Sequence, residues 1–389
     1  MGSNPTRSAI RVKDVPSMLQ EAKYWVAFHR VPNFGRARFG VLEQRFGSLE
    51  DAWNAPGAEL RAAGLDARSI NTFLTMRSGI SPDSEMERLE KLRIQVLTLH
   101  DPAYPNRLKE IYDAPPVLYV RGELLSDDEW AVTVVGTRRV TVYGREVTRR
   151  LVTDLSKNNV TIISGLARGV DAMAHQAALD AGGRTIAVLA CGLDIIYPAA
   201  HTALARRIAG QGALLSDYPL GTKPRAEHFP RRNRILAGLT LGTLVVEAPD
   251  RSGALITANV AAEEGREVFA VPGSILSPAS RGVNRLIQDG AKTVLDFRDV
   301  MEELNLQVAV RQLALPEAAA PDEKETTLLD HLSGEPTHID ELRRTVGLPM
   351  ADVSSALALM ELKGLVRQVG AMNYVSLRET PVDYQAGVP

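Results

Sequence analysis

The sequence predicts a mixed α/β protein: a doubly wound parallel sheet, a helical unit before it and a winged helix after it. Three observations predict this. Between Trp130 and Leu306, short apolar β-rich runs alternate with helical stretches. Ahead of them, from Met18 to about Gly79, the pattern is helical alone. Behind them, a linker rich in Ala and Pro precedes a short helix–helix–hairpin pattern.

The N-terminal residues 1–17 are polar and are expected to be disordered. Residues 18–80 then read as two helix–turn–helix units. The first turns at V-P-N-F-G, Val31 to Gly35, with Gly47 as a helix C-cap and Ser48 as the next N-cap. The second runs from Glu59 to Leu65 and from Asp66 to Leu74. Tandem units of this kind look like helix-hairpin-helix (SAM-like) modules, whose usual hairpin is V-P-G-I-G. Asn33 stands in place of the first glycine and tolerates the left-handed turn. The hairpin could serve structure, a protein contact or a DNA phosphate.

Residues 81–128 form a connector expected to pack on the core, with a helix from Ser81 to about Leu92 and strands at Val96–Leu99 and Pro115–Gly122. Strands of the core, residues 129–306, are expected at Ala131–Val135, Val160–Ser164, Thr185–Ala190, Ala213–Ser216, Thr243–Glu247, Glu267–Val271 and Lys292–Leu295. The helices between are expected near Gly144–Ser156, Asp171–Ala181, Ala200–Ala209, Asn233–Gly238, Leu255–Glu264 and Gly282–Gln288. Strands apolar along their whole length are buried on both faces, so the sheet is parallel and Rossmann-like. Residues 307–324 are the linker. Residues 325–378 read as a winged helix-turn-helix, with helices at Thr326–Leu332, Thr337–Val346 (Thr337 as cap) and Ala351–Lys363 and a hairpin from Gly364 to Val375; 379–389 is a tail.

Composition narrows the function. The chain has 389 residues, 45% hydrophobic and 24% charged, with a net charge of −2, so a nucleic-acid site must come from local clustering. A single cysteine, Cys191, excludes an internal disulfide and fits a reducing cytosol; it is a buried thiol or, less simply, a nucleophile. The seven histidines show no zinc-ligand spacing, no run approaches the roughly 18 apolar residues of a membrane helix, and no signal pattern opens the chain. A cytoplasmic protein without membrane contact, metal or cofactor is expected.

In an open parallel sheet, ligands bind beyond the carboxyl ends of the strands. The loops after the strands carry Arg138, Arg139, Arg168, Lys223, Arg225, Arg231, Arg232, Arg234, Arg251 and Arg281 against Asp171, Asp194, Asp217, Glu227 and Asp250. Glycines and helix N-termini converge there as well, which suits a polyanion. The densest stretch is F-P-R-R-N-R-I-L-A-G-L, Phe229 to Leu239. Arginines at a helix start oppose its dipole unless an anion joins them. Phe229 could stack on an unpaired base or anchor the loop in the core. Asp171 reads as a helix N-cap or a catalyst, His175 as a packed or an acid–base residue, and Glu247 as an arginine partner or a general base. Neither G-x-G-x-x-G nor G-x-x-x-x-G-K-[ST] is present, and no Ser/His/Asp set or carboxylate pair has supporting context, so no catalytic residue is expected.

The motifs in combination are G-T-R at Gly136–Arg138, S-G-L-A-R-G-V-D at Ser164–Asp171, F-P-R-R-N-R at Phe229–Arg234, S-G-A-L-I-T at Ser252–Thr257 and A-V-P-G at Ala270–Gly273. With these the chain resembles the DNA-processing protein A family (DprA, also called Smf) over almost its whole length. The resemblance implies a non-enzymatic, sequence-tolerant single-stranded DNA binder that protects incoming DNA in natural transformation and loads the RecA recombinase onto it. It also implies a homodimer through the Rossmann-like domain. Its DNA site would use Gly136, Arg138, Gly165, Arg168, Phe229, Arg231, Asn233 and Arg234. Some relatives have a lysine where this chain has Ala226, so Lys223 or Arg225 would supply that charge. Residues 322–378 hold nine acidic and six basic residues, so the winged helix is expected to contact protein and not duplex DNA. The alternatives are a recombination or replication scaffold, or a nucleotide-processing hydrolase on a related fold. The hydrolase motif P-G-G-x-G-T-x-x-E is not met by P-G-S-I-L-S-P-A-S at Pro272–Ser280.

Overall fold

Strand β3 (Ala131–Val135) is the hub of the sheet. The computed structural model describes residues 15–306, 323–333, 336–362, 365–369 and 372–376. The chain divides into two units, up to Leu306 and from Gln307 onward. In the first, β3 is followed by β4 (Thr161–Ser164), β5 (Thr185–Val188) and β6 (Ala213–Ser216), laid down in turn on one side of it. The chain then returns to the other side of β3 with β7 (Gly242–Val245), β8 (Glu267–Ala270) and β9 (Lys292–Thr293). All seven are parallel, and every residue of β3 to β7 is buried. This is the Rossmann-like doubly wound sheet, with its topological switch point beside β3.

The connector does more than pack on this core. Its strands β1 (Gln95–Thr98) and β2 (Val117–Gly122) extend the sheet itself, with β2 antiparallel to β6 and β1 antiparallel to β2. Nothing local in the sequence announces this. The cause is the open edge of β6, whose unpaired backbone groups a neighbouring apolar strand satisfies. At the other edge β9 stops two residues earlier than its apolar run. The Asp299 carboxylate accepts the N–H groups of Leu295 (2.7 Å) and Asp296 (3.1 Å) and turns the chain into the next helix.

The N-terminal unit has helices at Val15–His29, Arg36–Phe46, Leu49–Asn54, Gly57–Ala62 and Ala67–Arg77. The first begins inside the stretch expected to be disordered; residues 1–14 lie outside the described residues. Gly47 adopts the left-handed cap and the Ser48 side chain accepts from Asp51 N–H, as the sequence predicts. Asn33 is left-handed at φ 67°, the geometry for which a glycine is usual. Phe28, Phe34, Phe39, Trp53 and Phe73 stack into one aromatic core, which is continuous with buried residues of β2 and β5.

The helix expected over Asn233–Gly238 begins five residues earlier and spans His228–Gly238. Pro230 does not stop it, because N–H groups in a first helical turn have no partner to lose. Phe229 is therefore carried on a helix, not on a loop.

The second unit packs helices Glu323–Leu329, Ile339–Val346 and Met350–Leu362 against a three-stranded antiparallel sheet. Leu328, Ile339, Leu342, Val353, Leu357 and Met360 form its core. The cap of the middle helix is His338, whose Nδ1 accepts from Asp340 N–H, while Thr337 pairs with Tyr374 in the sheet. The expected linker and tail lie almost wholly outside the described residues.

Candidate nucleic-acid interface

The carboxyl ends of β3 and β7 open a pocket of about 310 Å³ at the switch point. Gly136, Thr137 and Arg138 from the loop after β3 line it, with Pro249, Arg251 and Ser252 from the loop after β7 and with Phe229 and Asn233. A second pocket of about 570 Å³ lies next to it, lined by Arg138, Arg139, Gly165, Arg168 and Tyr197. Arg138, Ala167 and Phe229 line both. Phe229 is thus a ridge between two hollows. It is half-buried, its ring lies edge-on to Tyr197 with centroids 5.8 Å apart, and the Arg138 guanidinium sits 5.6 Å from its centroid. The ring is therefore neither wholly in the core nor free: it is half-buried, with Tyr197 and Arg138 against it.

The loops around the ridge are built by close backbone approaches. Gly169 has φ 83° and ψ −128°, and a Cβ there would lie 2.2 Å from the Thr137 carbonyl oxygen. Gly136 packs on Val170, where a Cβ would come within 2.5 Å of its side chain. Asp171 is the second residue of its helix, so Gly169 and not Asp171 is the N-cap. The Asp171 carboxylate instead accepts from the backbone N–H groups of Gly165 (3.2 Å) and Ala167 (3.3 Å), shaping the G-L-A-R turn. Burial pushes its carboxyl upward, against the nearby Arg232 and these two N–H donors.

Among the described residues Glu247 pairs with no arginine. Its buried carboxylate accepts from Thr141 N–H (3.0 Å) and Thr141 Oγ1 (2.5 Å), tying the end of β7 to the loop after β3. Cys191 is buried, donates to the Ile195 carbonyl and has its thiol pushed up to about 11 by burial, so it is a packed thiol.

The arginine cluster divides into three. Arg231 is exposed. Arg232 is buried and donates to the carbonyls of Gly165 (2.9 Å) and Val188, bracing the ends of β4 and β5. A Cβ at Gly165 would lie 2.4 Å from that guanidinium, so any side chain there would displace the Arg232 head group. Arg234 is paired with Asp217 at 2.6 Å and with Asp113 at 3.2 Å. Of the residues expected at a DNA site, Gly136, Arg138, Gly165, Arg168, Phe229 and Asn233 line the two pockets. Lys223, Arg225 and Arg231 are exposed and line neither pocket, and Arg234 faces its two carboxylates. Tyr197 joins the site as well, together with Arg251 and the N-terminus of the Gly253–Glu263 helix, both of which belong to the strand-end loops picked out by the sequence. The available signal for Tyr197 was a second aromatic in a strand-end loop.

A family model described as DNA recombination-mediator protein A matches residues 95–305, and one described as the DprA winged helix domain matches residues 312–372. The chain belongs to this family. Protein Smf of Synechocystis sp. is 37% identical over 391 residues, covering 91% of this chain and 98% of the relative. The DNA processing protein DprA of Streptococcus pneumoniae is 48% identical over 203 residues, covering 52% of this chain and 72% of that protein. The X-ray structure of DprA from Streptococcus pneumoniae aligns with a TM-score of 0.63 at 38% identity, covering 72% of this chain and 97% of that one. The strand-end loops, the ridge and the three helices of the second unit lie within the stretches that the two family models match. Among the described residues no helix is long and apolar enough to cross a membrane, and no group of His, Cys, Asp and Glu could hold a metal.

A buried histidine sets a pH dependence. His175 is fully buried, its Nδ1 lies 2.7 Å from Thr185 Oγ1, and burial lowers its pKa to about 3. An imidazole in the unfolded chain titrates near 6.5, so between the two values the unfolded state binds the extra proton. Stability from this group is complete above about pH 6.5 and falls as the pH drops toward 3. Urea melts between pH 7 and pH 5 are expected to show a falling midpoint, with a shallower fall in His175→Gln. Equal slopes in the two chains would remove His175 as the cause.

Proposed function

We propose that this chain is a non-enzymatic, sequence-tolerant binder of single-stranded DNA that protects the strand and hands it to a RecA-type recombinase, acting as a homodimer. The observation that carries the reading is the Phe229 ridge, a surface aromatic between two hollows with a guanidinium over it. Any base has a π-face, so a ring of this kind takes unpaired bases without choosing among them, while arginines hold the phosphates. The bases of a closed duplex are stacked on one another and cannot reach such a ridge. The family's description as a recombination mediator supports the delivery step. The acidic balance of residues 322–378 supports a protein contact for the winged helix; tight, salt-dependent duplex binding by that unit would contradict it.

A hydrolase reading finds less support. Glu247, the buried carboxylate nearest to a base-like position, is saturated by Thr141. The loop after β8 is pinned by Asn284, whose amide donates to Gly273 C=O and accepts from Gly273 N–H.

Arg138→Glu tests the electrostatic half of the proposal. Titration of oligothymidylate across a salt series is expected to show weaker binding and a log–log slope smaller by about 0.7 for each phosphate the protein no longer neutralises. An unchanged slope and affinity would take Arg138 out of the site.

A further inference from the structure

Tyr112 is 93% exposed, at the tip of the connector turn before β2. A mobile loop end could carry such a ring without consequence, but this turn is fastened at three points. Ile111 is buried and packs on the His228–Gly238 helix, so closely that a Cβ at Gly238 would lie 2.8 Å from its Cγ2. The Arg36 guanidinium donates to the carbonyls of Ile111 (3.0 Å) and Tyr112 (3.3 Å). Asp113 is paired with Arg234. The Tyr112 ring itself makes no side-chain hydrogen bond and no ring contact among the described residues. A large ring is thus presented rigidly to solvent.

Its surroundings are cationic. Arg231, Arg234 and Gly238 fall on one face of the helix by their spacing, and this is the face on which the turn lies. Arg231, at the end of that face, is exposed and in no ion pair among the described residues; with Arg234 it adds to burial in holding His29 well below its ordinary value. Arg36 is exposed too. The acids at this end are engaged: Asp113 with Arg234, and Glu227 with Arg225 at 3.7 Å. Phe229 and Arg231 are two residues apart, so they point to opposite flanks of the helix start. Lys223 and Arg225 are exposed in the loop leading into that helix, ahead of both residues in sequence.

We propose that Tyr112 is a second stacking platform for an unpaired base. Arg231 and Arg36 take the phosphates beside it, and the strand runs from the Phe229 ridge over the helix start to the connector turn. This rests on the single-stranded DNA reading above. It gives exposed Lys223 and Arg225 a role at the crossing and places the N-terminal hairpin, through Arg36, at the edge of the DNA path. A protein partner at Tyr112 would have to cover two exposed guanidiniums with no carboxylate left free among the residues named to offset them.

The test uses the full chain with an iodouracil-substituted oligothymidylate of about 20 nucleotides, long enough for more than one binding station. After irradiation, peptide mapping is expected to find crosslinks at both Phe229 and Tyr112. Tyr112→Ala is expected to weaken binding of the same oligonucleotide at least about fivefold, the lower end for one stacked base, with an unchanged thermal midpoint because the ring is exposed. Crosslinks at Phe229 alone, with full affinity in Tyr112→Ala, would overturn the second platform and leave the DNA-binding reading standing. Such a result is also what a protein occupant of Tyr112 would give. Failure to crosslink or bind at all would overturn both.

Discussion

Replacing Phe229 by alanine is expected to weaken oligothymidylate binding by about 5- to 150-fold, the range for loss of one base–aromatic stack. The fold is expected to survive. Phe229 is half-buried, contributes to neither of the large hydrophobic clusters of its unit, and meets Tyr197 and Arg138 at the surface. The comparison is an anisotropy titration beside a thermal melt of the same preparation. Phe229→Leu is the informative control, since it keeps apolar bulk but offers no π-face; it should bind nearly as poorly as the alanine variant. A melt that collapses in Phe229→Ala would return the ring to the core and remove the ridge.

Gly169→Ala is expected to have the second large effect, on both fold and binding. A side chain at φ 83°, ψ −128° is strained, and its Cβ would overlap the Thr137 carbonyl oxygen. The strain alone costs about 1–3 kcal/mol, and the overlap adds to it. Relief requires the Gly136–Arg138 loop to move away, carrying the Arg138 guanidinium off the Phe229 ring. The variant should therefore melt earlier and, at temperatures where it is folded, bind oligothymidylate more weakly. Gly182→Ala serves as the control: it also has a positive φ, 74°, but open space around it and no part in the site. A Gly169→Ala chain that behaves like Gly182→Ala would show that the close approach does not shape the binding face.

Much of this face is legible in the sequence because its supports are local. Apolar runs of four or five residues mark β3 to β8, and the strand ends mark the face on which the loops gather. The switch point needs only the strand order. What is not legible is the direction of each arginine. Arg231, Arg232 and Arg234 look alike in a row of four, yet one is exposed, one braces two carbonyls beneath the loops and one is paired with Asp217. The helical period separates them only once the helix is known to begin at His228, and Pro230 disguises that start. Glu247 misleads in the same way, because its partner Thr141 lies 106 residues away. The strands β1 and β2 join the sheet through an edge that only the assembled core creates.

The buried arginines also explain how an aromatic can sit so firmly at a surface. Arg232 holds the helix that carries Phe229 to the ends of β4 and β5, and Arg234 holds the same helix to β6 and the connector. Both guanidiniums are taken up by protein partners, and their effect is on the position of the ring.

The most direct measurement is a pair of anisotropy titrations of the full chain across a salt series. One uses oligothymidylate and the other a duplex of equal length. The ridge predicts tighter binding of the single strand at every salt concentration, with a residual preference at high salt where phosphate contacts are screened but stacking persists. Equal or tighter binding of the duplex, or a preference that vanishes as salt rises, would contradict it.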